Sequence, residues 1–346
     1  MSGKNKSRFG RRAFLRRCAA GASLALLPPA SAASAVSCAA PVRGYPASPV
    51  ILARSERLKI VGGKADGGEI SRLLDAAMVR LTGAGNEQEA WRSLFKPSDV
   101  VALKLNCLAR GIATRPEVTA AIVEGLKSAG VPAHNIVIWE RTNRELEDAG
   151  YKLAANALGG GLGGARCLGT DAIRGGGYEA EPEMAGEVGS CFSQVLTRLA
   201  TAVINVPVLK DHDLAGVSGS MKNNYGVIHN PNRYHDNNCD PYVAHLNSVN
   251  HLTGKQRLVV CDAITAQCNA GPAFRPEWAW GWGGLLVSRD PVALDAEGAR
   301  IIEERRREKG LPTLAEAGRP PRWLETAVQM GLGNGGPGAY ETVEVG

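Results

Sequence analysis

Apolar residues recur along this chain with two periods, and the switches between them mark its elements. Ile70, Leu73, Leu74, Ala77, Met78 and Leu81 follow helical spacing, which predicts a helix over 70–81 with one buried face. A second, short helix is predicted over 88–94. Asp99 to Asn106 is an apolar run carrying Lys104 and Asn106 at its end, as expected of a buried strand. Thr114 as N-cap and Pro116 in the first turn open a helix lined by Val118, Ala121, Ile122 and Leu126, which Gly130 and Pro132 close. The strand Ile136 to Trp139 follows, ending in Glu140, Arg141 and Thr142. Strand, helix and strand with short joints make a βαβ unit, so the sheet is expected to be largely parallel.

Further strands are predicted at 58–61, 165–168, 202–209, 257–264 and 284–288, the fourth ending near Asp262. Helices are predicted at 143–158, 191–201, 291–309 and 322–330, the last before a Gly-rich tail. Asp290 stands as N-cap of the third, with Pro291 behind it. The expected fold is therefore α/β: a mostly parallel, Rossmann-like sheet flanked by helices, in one domain over 58–346. The alternative is two lobes split near residues 170–200. Residues 36–57, rich in Pro, Ala and Ser, read as a linker. Gly159 to Gly164 formally satisfies G-x-G-x-x-G, but a helix precedes it and a strand follows, the reverse of the order a dinucleotide site needs. Trp278, Trp280 and Trp282 sit in a loop and read as the wall of a pocket rim or a core edge.

The N-terminus changes the charge argument. Gly10-Arg11-Arg12-Ala13-Phe14-Leu15-Arg16, an apolar run from Ala19 to Leu27 and small residues at Ala30-Ser31-Ala32 or Ala33-Ser34-Ala35 read as a twin-arginine export signal over 1–35. Export implies the twin-arginine translocase as partner and a periplasmic or extracellular address. Ala35-Val36-Ser37-Cys38 loosely matches a lipidation site, with Ala35 a poor fit. Residues 1–35 hold seven Lys and Arg and no acid, so without them the formal +6 becomes −1. That near-neutral balance speaks against a nucleic-acid partner. The apolar run is too short for a spanning helix and no other transmembrane segment is expected. Seven cysteines follow the signal, an odd number with no C-x-x-C spacing, so a ferredoxin-type iron–sulfur motif is absent from the sequence.

The candidate chemistry concentrates in one stretch, Val203 to Asp240. Its strand leads into Lys210, Asp211, His212 and Asp213, and a long His/Asn/Gly-rich loop follows with Gly216, Gly219, Ser220, Lys222, Asn223, His229 and His235. Open α/β sheets place sites at such strand ends. Five of the six histidines, His212, His229, His235, His245 and His251, fall within 40 residues. Lys104, Lys210 and Lys222 all stand at or after strand ends, and together they would suit a carboxylate or phosphate; the plain alternative is three solvated loop lysines. His212 between two aspartates could act as general base or metal ligand. His229, His235 and His245 could add ligands for a transition metal, although none has the H-x-x-x-H helical spacing. Glu140 is the best remaining acid or base. The assignments are His212, Lys222, Lys210 and Glu140 as catalytic groups, with Lys104, Asn106, Thr114, Asn223 and Asp262 contacting substrate.

The chain resembles the domain of unknown function 362 family (DUF362). The resemblance rests on Ala102-Leu103-Lys104-Leu105-Asn106, Thr114-Arg115-Pro116, Asn205 to His212, Ser220 to Gly226, Asp262-Ala263-Ile264, Gly271-Pro272 and Asp290 to Asp295, in family order. The Lys-x-His and Lys-Asn-x-x-Gly pair is its most specific part. The resemblance brings no established activity. Many relatives carry a ferredoxin-type cysteine cluster that this chain lacks. The glycine loop with its lysine also looks like that of nickel-pincer lactate racemase proteins, which implies a small carboxylate substrate or a metal-bearing cofactor. Two functions follow as expectations: a metal-assisted acid/base enzyme on a small anion, or an accessory protein that holds a metal or cofactor.

Overall fold

In the computed structural model, the residues described are 44–346 except Lys59 and 157–159. The twin-arginine-like segment and Cys38 lie outside them, as does the end of the helix predicted over 143–158.

The longer strands of the eleven-stranded sheet are β1 (Val50–Arg54), β2 (Val101–Leu105), β3 (Ile136–Glu140), β4 (Arg166–Gly169), β5 (Ala202–Val206), β6 (Val208–His212), β7 (Gln256–Gln267), β8 (Gly284–Ser288) and β9 (Thr342–Val345). Their order is β9-β1-β8-β7-β5-β2-β3-β4, with β6 also paired to β7. β8 runs antiparallel to both neighbours, and the other pairings on this path are parallel. The chain belongs to the α/β class, with a large, mostly parallel central sheet flanked by helices.

Both faces of the sheet are covered, which is why its strands read as unbroken apolar runs. Val101, Leu103, Ile136, Ile138 and Ile204 point to one side. There they meet α1 (Gly67–Thr82), α2 (Glu87–Leu94) and α3 (Pro116–Ser128). Ala102, Val137, Trp139 and Val203 point to the other side. In chain order, α4 (Asn143–Asp148), α5 (Gly219–Asn223), α6 (Tyr242–Asn247), α7 (Pro291–Glu308) and α8 (Trp323–Gln329) complete the helices used below. α6, α7 and α8 supply the second core.

Several expectations are corrected here. The 36–57 segment is not all linker, since Val50 to Ala53 are buried and form β1 inside the sheet. Its edge partner β9 lies in the Gly-rich tail. The predicted strand at 58–61 is instead an exposed hairpin, Ile60–Val61 with Lys64–Ala65. The helix from Asn143 stops at Asp148. Residues 191–201 hold only a wide π-type turn, Val195–Leu199. The run 202–209 is two strands, because Pro207 has no N–H to continue the ladder. Thr114 does not cap α3: the N-cap residue is Arg115, and no side chain of its own closes that end.

Asp290 does cap α7, accepting from Val292 and Ala293 N–H at 2.9 and 3.1 Å through Oδ1. Its Oδ2 accepts from the backbone and side-chain N–H of Asn334 at 2.9 and 3.1 Å. One carboxylate thus fixes both the helix and the tail leading to β9. Asp290→Ala is expected to cost about 2 kcal/mol, the upper range for a lost cap; chemical denaturation checks this, and a cost below about 0.5 kcal/mol would refute the double role.

Candidate functional site

The sheet order reverses between β2 and β5: β3 and β4 add to one side of β2, and β5 returns to the other. Strand ends at such a reversal splay and leave a crevice. A cleft of about 540 Å³ opens there, with Lys104, Lys210, His212, Lys222, Glu140 and His235 in its lining.

Lys104 comes from β2 and Glu140 from β3, and their side chains meet at 2.7 Å, both almost wholly buried. Lys104 Nζ also donates to Leu105 O at 2.6 Å. Glu140 accepts two more bonds, from Cys107 N at 3.0 Å and Arg141 N at 2.8 Å. Glu140 is thereby a fixed counter-ion that joins two strand ends. A Cβ on Gly226 would lie 2.6 Å from Lys104 Nζ and 2.9 Å from Glu140 Oε1. The glycine of the Lys-Asn-x-x-Gly motif is required because this ion pair lies against its backbone.

Lys210 and His212 lie within β6, not in a loop after it, so strand alternation sends them to one side and Asp211 to the other. Asp211 is bound by Arg319 Nη1 at 2.7 Å and Gly271 N at 2.9 Å. Lys210 Nζ donates to Asn106 Oδ1 at 2.8 Å and Ile112 O at 3.2 Å. It is 1 % exposed, and burial pulls its ammonium down to about 8. His212 Nδ1 accepts from Leu214 N and Ala215 N at 3.1 and 3.3 Å, which leaves the proton on Nε2. Burial first, then the charge of Lys222, pulls this ring down to about 2, so it stays neutral. Asp213 Oδ1 stands 3.0 Å from Nδ1. That contact is not an ion pair, because the nitrogen already accepts from the backbone. With a proton on Nε2, His212 faces the cleft as a hydrogen-bond donor, not as the general base expected from its flanking aspartates.

Lys222 stands on α5, a short helix where the sequence reads as a glycine-spaced loop. Asp295 of α7 fixes this helix by accepting from Ser220 N at 2.5 Å and Met221 N at 2.8 Å. Burial raises its carboxyl to about 7. Gly219 adopts φ +57, and a Cβ there would meet Asp295 Cγ at 2.6 Å. Lys222 Nζ lies 3.0 Å from His235 Nε2 and 4.2 Å above the Tyr225 ring. It is 7 % exposed and burial pulls it, too, down to about 8. Among the described residues neither Lys210 nor Lys222 has a carboxylate within ion-pair distance; the ion pairs among the residues lining the cleft are Lys104–Glu140 and Arg141–Glu145.

A row of amides, half-buried at Asn106 and buried beyond it, links these groups. Asn106 Nδ2 donates to Asn223 Oδ1 at 3.0 Å, and Asn223 Nδ2 to Asn205 Oδ1 at 2.8 Å. Asn205 Nδ2 lies 3.3 Å from Asn224 Oδ1, and Asn224 Nδ2 donates to Asn247 Oδ1 at 2.7 Å.

Other expected site residues lie elsewhere. Thr114 Oγ1 donates to Val206 O at 2.7 Å and accepts from Asn106 N at 2.9 Å, so it positions Asn106 and does not line the cleft. Asp262 stands mid-strand in β7, not at a strand end, and caps α3 by accepting from Arg115 N at 2.9 Å. Burial raises it to about 6. The four histidines proposed as metal ligands do not converge. His212 and His235 share the cleft, ring centroids 5.8 Å apart. His229 Nδ1 accepts from Cys191 N at 3.0 Å, and His245 packs beside Gly186. Among the described residues no group of three or more His, Cys, Asp and Glu is placed to hold a metal ion. The six described cysteines are free thiols. Tyr225, Arg141 and Asp295 join the site although the sequence reading assigned them no role. Tyr225 lies inside the Lys-Asn-x-x-Gly motif, the one signal that pointed to it.

A family model, domain of unknown function (DUF362), matches residues 101–300, which contain every residue lining the cleft. No curated protein matches the chain.

Proposed function

The chain belongs to the DUF362 family, which is defined without an assigned activity, and we propose that this protein binds a small carboxylate or phosphate in the Lys/His cleft. The observation that carries the reading is the pair Lys210 and Lys222, two ammonium groups buried without a carboxylate counter-charge. Buried charges are ordinarily paired, so an unpaired buried cation calls for an anion from outside. Lys210 has two protein acceptors for three N–H donors, and one donor remains for a ligand. His212 Nε2–H and the Asn106 and Asn223 amides supply neutral polar groups around it. A volume of about 540 Å³ suits a small molecule. The twin-arginine-like N-terminus supports a periplasmic or extracellular setting, where the translocase would deliver the protein already folded.

Isothermal titration of the purified protein with oxalate and with inorganic phosphate tests this. Lys210→Met and Lys222→Met are each expected to weaken the bound anion at least tenfold, as removal of a charged hydrogen bond of about 1.5–3 kcal/mol implies. Folded variants that keep the wild-type affinity, or a wild type that binds neither anion at millimolar concentration, would overturn the proposal.

A further inference from the structure

The two unpaired lysines differ in their surroundings, and the difference bears on what the ligand is. Lys210 is held between two oxygen acceptors. Lys222 instead has the Nε2 of His235 as its hydrogen-bond partner, at 3.0 Å. His235 Nδ1 lies 3.0 Å from Pro231 O, a carbonyl that can only accept. The ring proton therefore sits on Nδ1, and Nε2 turns its lone pair towards Lys222. Burial and the charge of Lys222 both disfavour a charged His235 ring. The Tyr225 ring covers one side of Lys222 Nζ, leaving the cleft side open. An amine in a desolvated pocket, with a neutral base against it, is the arrangement of a nitrogen nucleophile.

Resting on the anion reading above and naming its ligand class, we infer that the cleft takes a small 2-oxo acid, its carboxylate at Lys210 and its carbonyl carbon condensing with Lys222 Nζ. Lys222, as the free amine, attacks the carbonyl carbon and forms a C–N bond. His235 Nε2 takes a proton from that nitrogen and passes it to the carbonyl oxygen, which accepts a hydrogen bond from His212 Nε2–H, so that a neutral carbinolamine forms. The hydroxyl then leaves as water, taking the nitrogen's remaining proton by way of His235, and a C=N bond to Lys222 remains. Amine and carbonyl give imine and one water, with no oxidant or reductant consumed.

The test treats the full-length protein with pyruvate or glyoxylate and then sodium borohydride, which reduces an imine to a stable secondary amine. Oxalate, which lacks a ketone or aldehyde carbonyl, is titrated in parallel. One reduced adduct per chain is expected, on the peptide that holds Lys222. Lys222→Arg should abolish it, and His235→Gln should slow its formation by at least about tenfold, the low end for loss of a general base. Peptide mapping of the wild type locates the adduct whatever the variants' stability. Oxalate binding without any adduct would overturn the imine and leave the anion site standing. Failure of both would remove the two together. Adducts spread over other lysines would refute Lys222 as the nucleophile.

Discussion

Replacing Glu140 by Gln is expected to lower the unfolding free energy by about 3–5 kcal/mol and the thermal midpoint by roughly 5–15 °C. The carboxylate receives Lys104 Nζ, Cys107 N and Arg141 N, three donors converging on two oxygens. Glutamine has nearly the same shape but only one acceptor oxygen, so its NH₂ must face one of these donors. The Lys104 ammonium, 1 % exposed, would then be left without its counter-charge. Removing one member of a buried pair costs far more than the net worth of the pair. Lys104→Met combined with Glu140→Gln is therefore expected to recover part of the loss, since neither charge remains. Thermal melts of Glu140→Gln, Lys104→Met and the double variant followed by circular dichroism check this. A single variant melting within about 2 °C of wild type would show that the pair does not hold the ends of β2 and β3 together.

Anion affinity should be flat below pH 8 and fall above it, by about tenfold per pH unit for each lysine that titrates. The sign follows from the lowered values. Lys210 and Lys222 lose protons near 8 in the free protein, while a bound anion keeps them charged to higher pH. Binding in that range must take up protons, and it weakens as they become scarce. In the ligand-free protein the two lysines contribute oppositely. An unfolded lysine holds its proton to about 10.5, so between 8 and 10.5 their contribution to stability rises with pH. The thiols of Cys107, Cys167, Cys239, Cys261 and Cys268, kept protonated by burial, lower stability over the same window. Asp262 and Asp295, raised to about 6 and 7, work against stability as pH climbs through the acid range, and they have finished titrating before this window opens. Titrations of oxalate from pH 7 to 9.5, in buffers of different ionisation enthalpy, report affinity and proton uptake together. A flat profile would disprove the assignment of both lysines; Lys210→Met should remove about half the slope.

What could be read from the sequence was what local chemistry decides. The β2, α3 and β3 unit was legible because its apolar runs and closing Gly130 and Pro132 are contiguous, and the Asp290 cap because it precedes Pro291. Two strands were hidden: β1 pairs with the edge strand β9 across nearly 300 residues, and neither flank carries a local signal. Pro207 could have revealed the break between β5 and β6, and with it the alternation that separates Asp211 from Lys210 and His212. The three lysines line one cleft, although Lys210 lies within β6 and Lys222 on α5 and not at strand ends. The histidines were read by closeness along the chain, but the backbone after His212 winds through several short turns that disperse them. Asp262 and Thr114 were polar groups at the right distance from a strand end for substrate, yet backbone donors claimed them first. Burial of a polar side chain says that it has a partner, and the sequence does not say which.

The row from Asn106 to Asn247 bears on the tempo of recognition. Its hydrogen bonds run from side chain to side chain across β2, β5, α5 and α6, so no member can turn without unseating the next. Lys210 leans on the first of these amides, and the floor under an incoming molecule is consequently set before encounter. A rigid receptor of this kind sorts its guests chiefly by how long they stay, since arrival differs little among molecules of similar size and charge.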